Sequence, residues 1–397
     1  MKKIIFFFTL LVTFLHAYNQ EIGFKEIDSW VEDNPGKLVP IRIEFKDNID
    51  CFKLNQQFKD QQTPVNQRPK IINRLLKEQA VKSQEFVIDF LKKQTSSKTY
   101  YHSFWIVNII VAQVDAATIE KLLQFSNISS IKIENNQFIA HDDFKESADN
   151  NRTPNGVENG LIAINAPAMW ALGYTGRGRL AYNYDTGVWP NHPAFSNRFI
   201  GDRFPMQQSW IGYFNTFPNG SIQNHGTHTL GTIAGLVEST NDTIGVAFGS
   251  YWIANDFITS TVQALPPIVN MIEAFQWALN PDNDTSTTED IPDVINNSWR
   301  WYDGNDTIHC QGFVVNLMNA IEAAGIANVF SGGNSGPNNS SVNSPQRINT
   351  SEVNTFCVGS VNGNISFPYP ISNFSTRGPS QCSASGSLAI HPEVVAP

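Results

Sequence analysis

The sequence predicts an α/β domain built on a doubly wound, largely parallel sheet, preceded by a small α+β unit. Three observations carry this. Beyond residue 160, short apolar runs alternate with helical patterns, as βαβ crossovers require. Residues 38–139 read as β-α-β-α-β. Between them, residues 140–160 are polar and Asn/Gly-rich without apolar periodicity, which marks an exposed linker.

The charge changes character across that linker. The 397-residue chain has a net charge of −9. Residues 150–397 hold seventeen acidic side chains against eight Arg and no Lys, whereas the preceding part holds nineteen of each sign. An acidic second unit is a poor candidate for nucleic-acid binding, which needs clustered Lys and Arg, and no nucleic-acid partner is expected. At 41% hydrophobic and 16% charged residues, the chain has the apolar content for a sizeable core.

Taken in order, the chain opens with Met1-Lys2-Lys3, an apolar stretch from Ile4 to Leu15, and Leu15-His16-Ala17. A basic start, a dozen apolar residues and a small residue at the end describe a cleavable signal peptide over 1–17, too short for a membrane span. No later segment offers the roughly 20 unbroken apolar residues of a spanning helix, so no stable membrane anchor is expected. Leu38 to Phe45 then reads as a strand, and Pro69 to Lys93 as a helix through Ile72, Leu75, Leu76, Phe86 and Phe90. Phe104 to Val114 is β-rich, Ala116 to Phe125 helical, and Ser130 to Ile133 a final strand. One further hairpin strand within the long apolar run would make this unit ferredoxin-like.

In the second unit the strands are Leu180 to Tyr184, Trp252 to Ile258, Val294 to Asn296 and Ile326 to Phe330. The intervening helices begin at His225 or cover Val262 to Leu279 and Val314 to Ala324. Of the cysteines, Cys51 lies in the first unit and Cys310, Cys357 and Cys382 in the second, which allows at most one bridge there. Cys357, inside Phe356-Cys357-Val358, reads as a small core residue.

The chemistry concentrates at the carboxyl ends of these strands, where parallel sheets place their sites. Tyr182 to Tyr184 runs into Asp185-Thr186-Gly187, a carboxylate followed by a glycine turn. Asn224-His225-Gly226-Thr227-His228 opens a helix in which Gly226, Gly231, Ala234 and Gly235 imply close backbone approach. No Glu follows His225, which argues against a His-Glu-x-x-His zinc site. Pro292 to Trp299 ends in Asn296-Asn297-Ser298-Trp299. Ser331-Gly332-Gly333-Asn334-Ser335-Gly336-Pro337 sets a side-chain amide among glycines, where a substrate can approach it as it would an oxyanion donor.

In this order and spacing the four motifs resemble those of the subtilisin-like proteases, and Pro292 to Trp299, Phe374 to Pro379 and Pro392 to Pro397 look most like the bacillopeptidase F branch. The resemblance implies a serine endopeptidase in which His225 is the general base, Asp185 fixes its tautomer and Asn334 donates to the oxyanion. It implies that Ser298, Trp299 and Arg300, with Gly332 and Gly333, border the substrate, the first three as an edge that pairs with extended peptide. Arg300 stands where the family usually has Gly. Residues 38–139, notably Ser103 to Asn108, resemble the family's propeptide, an intramolecular inhibitor released by cleavage in 140–160, leaving a peptidase domain over 161–397.

The resemblance further implies secretion, polypeptide substrates, no cofactor for the chemistry, and structural calcium as the family commonly binds. In the family, the Pro-Glu-Val-Val-Ala-Pro segment reached at Pro397 leads on to Gly-Thr-Ser-x-Ala, whose Ser is the nucleophile. Ser375 and Ser380 belong to a different motif and cannot replace it. The expectation is therefore a precursor that is C-terminally incomplete and inactive as it stands. The competing readings are a non-catalytic binding protein on the same scaffold and a propeptide-type inhibitor.

Overall fold

The computed structural model describes residues 26–94, 100–134, 137–140, 156–195, 197–220, 224–258, 267–302, 310–382 and 386–397. The expected signal peptide and most of the expected linker lie outside them. The chain forms two compact units: residues 1–49 with 76–135, and residues 50–75 with 136–397.

The first unit is a four-stranded antiparallel sheet, β1 (Val39–Phe45), β2 (Tyr100–Phe104), β3 (Ile109–Val114) and β4 (Ile128–Ile133), in the order β2-β3-β1-β4. The β-rich run from Phe104 does hold a hairpin: β2 reaches back to Tyr100 and ends at Phe104, and β3 begins at Ile109. Ser103 pairs with Ile110 and Phe104 with Ile109, and Asn108 takes a positive φ of 49° in the turn, a conformation Asn tolerates. With the helices Arg68–Lys93 and Ala116–Leu122 between the strands, the topology is ferredoxin-like. Asp115 caps the second helix by accepting the Thr118 amide at 2.7 Å. Val39, Ile41 and Ile43 of the central strand meet Val87, Leu91, Ile110, Val114, Ile119 and Leu122 in one apolar cluster.

A helix that the sequence reading missed, Cys51–Asp60, is part of the second unit. It packs on the helix Phe313–Ala323, where Asn55 Nδ2 donates to the buried Glu322 Oε1 at 2.8 Å. Its apolar face is thin, with Phe58 and Cys51 the buried apolar positions, so periodicity alone does not reveal it.

The main sheet has seven strands: β6 (Leu180–Tyr184), β7 (Trp210–Ile211), β10 (Tyr251–Asn255), β11 (Val294–Asn297), β13 (Ala327–Ser331), β14 (Phe356–Ser360) and β15 (Val394–Ala396). Their order is β15-β14-β13-β11-β6-β10-β7, and every pairing is parallel. All five residues of β6 are buried, as expected of a strand covered on both faces. Two short antiparallel pairs stand apart: β8 (Leu236–Val237) with β9 (Asp242–Thr243), and β5 (Gln137–Ala140) with β12 (Trp299–Tyr302). A bridge joins Cys310 to Cys382, leaving Cys51 and Cys357 as buried free thiols.

This strand order sets the position of the site. From β6 the chain moves on to β7 and β10 on one side, and from β11 to β13, β14 and β15 on the other. A crevice therefore opens outside the carboxyl ends of β6 and β11, where the winding reverses. Tyr184, Asn297 and Phe330 share one register row, so Asp185, Ser298 and Ser331 all follow it at that end of the sheet.

Candidate active site

Alternation along β6 sorts its side chains. Tyr182 and Tyr184 share one face, their ring centroids 6.2 Å apart, and Tyr184 packs against Trp299 at 5.1 Å. Asn183 and Asp185 occupy the other, toward the helix His225–Ala234: Asn183 Nδ2 donates to the Gly226 carbonyl at 2.9 Å. Two glycines make room here, Gly187 for the loop at Asn219 and Gly226 for the helix itself. Gly187 has φ +104°, and a Cβ there would lie 2.1 Å from the Asn219 carbonyl oxygen. A Cβ on Gly226 would lie 2.2 Å from the Gly187 carbonyl oxygen and 3.1 Å from Asp185 Cβ. Neither obstacle is a movable side-chain tip. Gly226→Ala is therefore expected to destabilise the chain by about 1–3 kcal/mol, read as a lower denaturant midpoint at unchanged slope; an unaltered midpoint would show that the contact relaxes without cost.

The outcome of this packing is a carboxylate–imidazole pair. Asp185 Oδ1 lies 2.7 Å from His225 Nδ1. Asp185 is 1% exposed, whereas the His225 side chain keeps 16% of its surface open. A carboxylate can only accept, so the shared proton belongs to Nδ1, and Nε2 is left as the basic nitrogen. The carboxylate is held on further sides. Its Oδ1 accepts the Thr186 amide at 2.7 Å, Thr229 Oγ1 lies 3.0 Å from Oδ2, and the Asp185 amide donates to Asn255 Oδ1 at 3.0 Å. Asn255 Nδ2 in turn donates to the Tyr182 hydroxyl at 2.6 Å. A base oriented by a fixed, buried carboxylate is the arrangement that activates a hydroxyl or thiol nucleophile.

Thr229, Asn183 and Asn255 were not singled out from sequence. The signal for Thr229 was available: it lies four residues after His225, on the same helix face. Asn183 was legible as a polar residue inside a buried strand, since Asn296, its register partner on β11, reaches it with a 2.9 Å hydrogen bond. Asn255 gave no local sign, because its two partners, the Tyr182 hydroxyl and the Asp185 amide, come from β6 and the residue that follows it. Asp256 beside it is fully buried and accepts the amides of Tyr213, Phe214 and Asn215, fixing the turn after β7. Burial pushes its carboxyl upward and these amides oppose that shift.

The other expected site residues lie at the same end of the sheet. Gly332, Gly333 and Asn334 follow β13. Gly332 donates to the Val358 carbonyl at 2.7 Å, Gly333 has φ +96°, and Asn334 is exposed. Ser298 is partly buried between β11 and β12. Trp299 offers the edge only its backbone: its indole is fully buried, 5.7 Å from the Phe330 ring. The Trp299 carbonyl accepts Gln346 Nε2 and the Trp301 amide donates to the Ser344 carbonyl, both at 2.7 Å. Alternation then turns the Arg300 amide and carbonyl to the opposite edge, where Ile139 of β5 is its register partner. His228 is exposed. Ser375 and Ser380 are buried, Ser375 Oγ accepting the Ser360 amide and Ser380 Oγ donating to the Arg347 carbonyl.

Comparison with known proteins shows the family and the fold. The model of the Subtilase family (Peptidase_S8) matches residues 184–397, more than half of the chain. Bacillopeptidase F of Bacillus subtilis is 30% identical over 279 residues, 65% of this chain and 19% of that protein. Subtilisin E of Bacillus subtilis is 29% identical over 182 residues, 46% of this chain and 41% of that protein. The chain thus spans from about a fifth to about two fifths of these relatives. In fold, it is similar to the crystal structure of the epidermin leader peptide processing serine protease of Staphylococcus aureus, with a TM-score of 0.51 at 14% identity over 86% of this chain and 74% of that one.

Proposed function

Because this chain belongs to the subtilase family, we propose that it is the precursor of a secreted serine endopeptidase, carrying the acid–base half of an Asp-His-Ser triad. The observation that carries the reading is the 2.7 Å contact between buried Asp185 and partly exposed His225 at the carboxyl end of a parallel sheet. His225 Nε2 accepts the proton of a serine hydroxyl as that oxygen attacks the peptide carbonyl, and returns it to the departing amine. Asp185 keeps Nδ1 protonated and stabilises the imidazolium between those steps. Asn334 donates its amide to the oxyanion; in subtilisin the loss of such a donor costs about 100- to 1,000-fold. The reaction needs a serine at His225 Nε2, and the sequence holds no Gly-Thr-Ser-x-Ala motif to deliver one. The activity is therefore proposed for the polypeptide that carries that motif.

Residues 38–139 serve as propeptide and inhibitor in this reading. Supporting it, β5 lies antiparallel along β12 with Arg300 opposite Ile139, as an extended substrate adding to that edge would lie. Cleavage within 140–160 would free the edge. Secretion is supported by the Lys2-Lys3 start and the apolar run behind it, and no described helix is long and apolar enough to cross a membrane. The test is hydrolysis of unstructured polypeptides by the motif-bearing chain, blocked by a serine-directed fluorophosphonate; hydrolysis insensitive to that reagent would overturn the serine mechanism.

The same reading gives Arg300 a role in selectivity. A guanidinium beside the cleft favours carboxylate side chains. Arg300→Gly is expected to shift cleavage in a peptide library away from acidic residues, and an unchanged profile would place the guanidinium elsewhere.

A further inference from the structure

A second cluster of reactive side chains sits on the outer strands of the main sheet. β15 pairs with β14 in parallel, Val358 opposite Val394 and Gly359 opposite Val395. This register sets Cys357 beside the residues that lead into β15. The Cys357 amide donates to Glu393 Oε2 at 2.8 Å, and the Glu393 amide donates to the Cys357 carbonyl at 3.1 Å. His391 lies two residues before Glu393, enclosed against Gly378, where an added Cβ would come 2.4 Å from the His391 carbonyl oxygen. Cys357 is fully buried and His391 is 5% exposed. One ligand atom from each of Cys357, His391 and Glu393 lies within 4.8 Å of the others.

His391 Nδ1 is buried without a hydrogen-bond partner, although Glu393 Oε1 lies 3.3 Å away. A buried nitrogen left without a hydrogen bond destabilises the fold, and a cation between imidazole, carboxylate and sulfur would satisfy it. We propose that Cys357, His391 and Glu393 bind a zinc ion that clamps β15 to β14. The donor set selects the ion. A thiolate and an imidazole are poor ligands for calcium or magnesium, whereas sulfur, nitrogen and oxygen together suit zinc. With metal–ligand distances of about 2.0–2.3 Å, tetrahedral donors stand roughly 3.3–3.8 Å apart, so side-chain rotation of an ångström closes the site. Binding deprotonates the Cys357 thiol, whose proton leaves to solvent, and a fourth ligand position remains for water.

The experiment uses the 397-residue protein, equilibrated with zinc and dialysed without chelator. One zinc per chain is expected. Cobalt in its place is expected to give an intense thiolate-to-metal charge-transfer band in the near ultraviolet. Cys357→Ser and His391→Gln should each remove that band and weaken zinc binding by more than the roughly 10- to 100-fold that losing a supporting group costs. Cys51→Ala should keep both signals. Absence of bound zinc in the folded wild type overturns the clamp, as does zinc retained equally by Cys357→Ser, which would reveal an adventitious surface ion. Should Cys357→Ser fail to fold, the cobalt spectrum of the wild type decides alone: without a thiolate band the proposal falls.

Discussion

In the polypeptide that carries the serine motif, His225→Ala is expected to lower kcat for peptide hydrolysis about a million-fold, and Asp185→Asn about ten-thousand-fold. The two losses differ because the residues act at different removes. His225 moves the proton, so its loss leaves the hydroxyl with no base. Asp185 acts through it: an amide at that position can donate to Nδ1 as well as accept from it, which stabilises the tautomer whose Nε2 carries hydrogen and cannot take a proton. The Thr229 hydroxyl and the Asn255 bond keep position 185 in place, so the Asn variant should fold, with a somewhat lower denaturant midpoint because an amide nitrogen in the place of Oδ1 cannot accept the Thr186 amide. The two variants combined should be little worse than His225→Ala alone, since groups that act as a unit are not additive. Turnover of either single variant within tenfold of the wild type would remove the pair from the reaction.

What made this site legible in advance was its locality. Asp185-Thr186-Gly187 and His225-Gly226-Thr227-His228 each pack a chemical group and its required glycine into a few residues: Gly226 lets the helix approach the backbone at Gly187, and Gly187 makes room for the Asn219 carbonyl. The parallel sheet was legible for a similar reason: buried strands such as β6 read as short apolar runs between helices. Elements without a local signature escaped. β7, β14 and β15 hold two to five residues each and are stabilised by neighbours distant in sequence. β5 becomes a strand only through its pairing with β12, more than 150 residues away. The zinc cluster is hidden in the same manner, since Cys357 and Glu393 meet only when β14 and β15 align.

The substrate-like strand leads to the other large expected effect. β5 ends at Ala140, immediately before the segment in which processing is proposed, and its partner strand begins at Trp299, directly after Ser298. If β5 lies as a bound peptide would, the chain continuing from Ala140 is the natural first substrate of the site. The motif-bearing polypeptide is therefore expected to cut itself once between 140 and 160, separating a unit of balanced charge from an acidic one, and to label with a fluorophosphonate only after that cut. His225→Ala should leave it intact. The 397-residue chain should neither cut itself nor label, because Ser375 and Ser380 are committed to hydrogen bonds within the sheet and loops. Time-resolved electrophoresis with N-terminal sequencing of the products reads all of these results. Cleavage by the 397-residue form would show that some other nucleophile pairs with His225, and cleavage of the motif-bearing form in trans alone would show that β5 blocks the site without being presented to it.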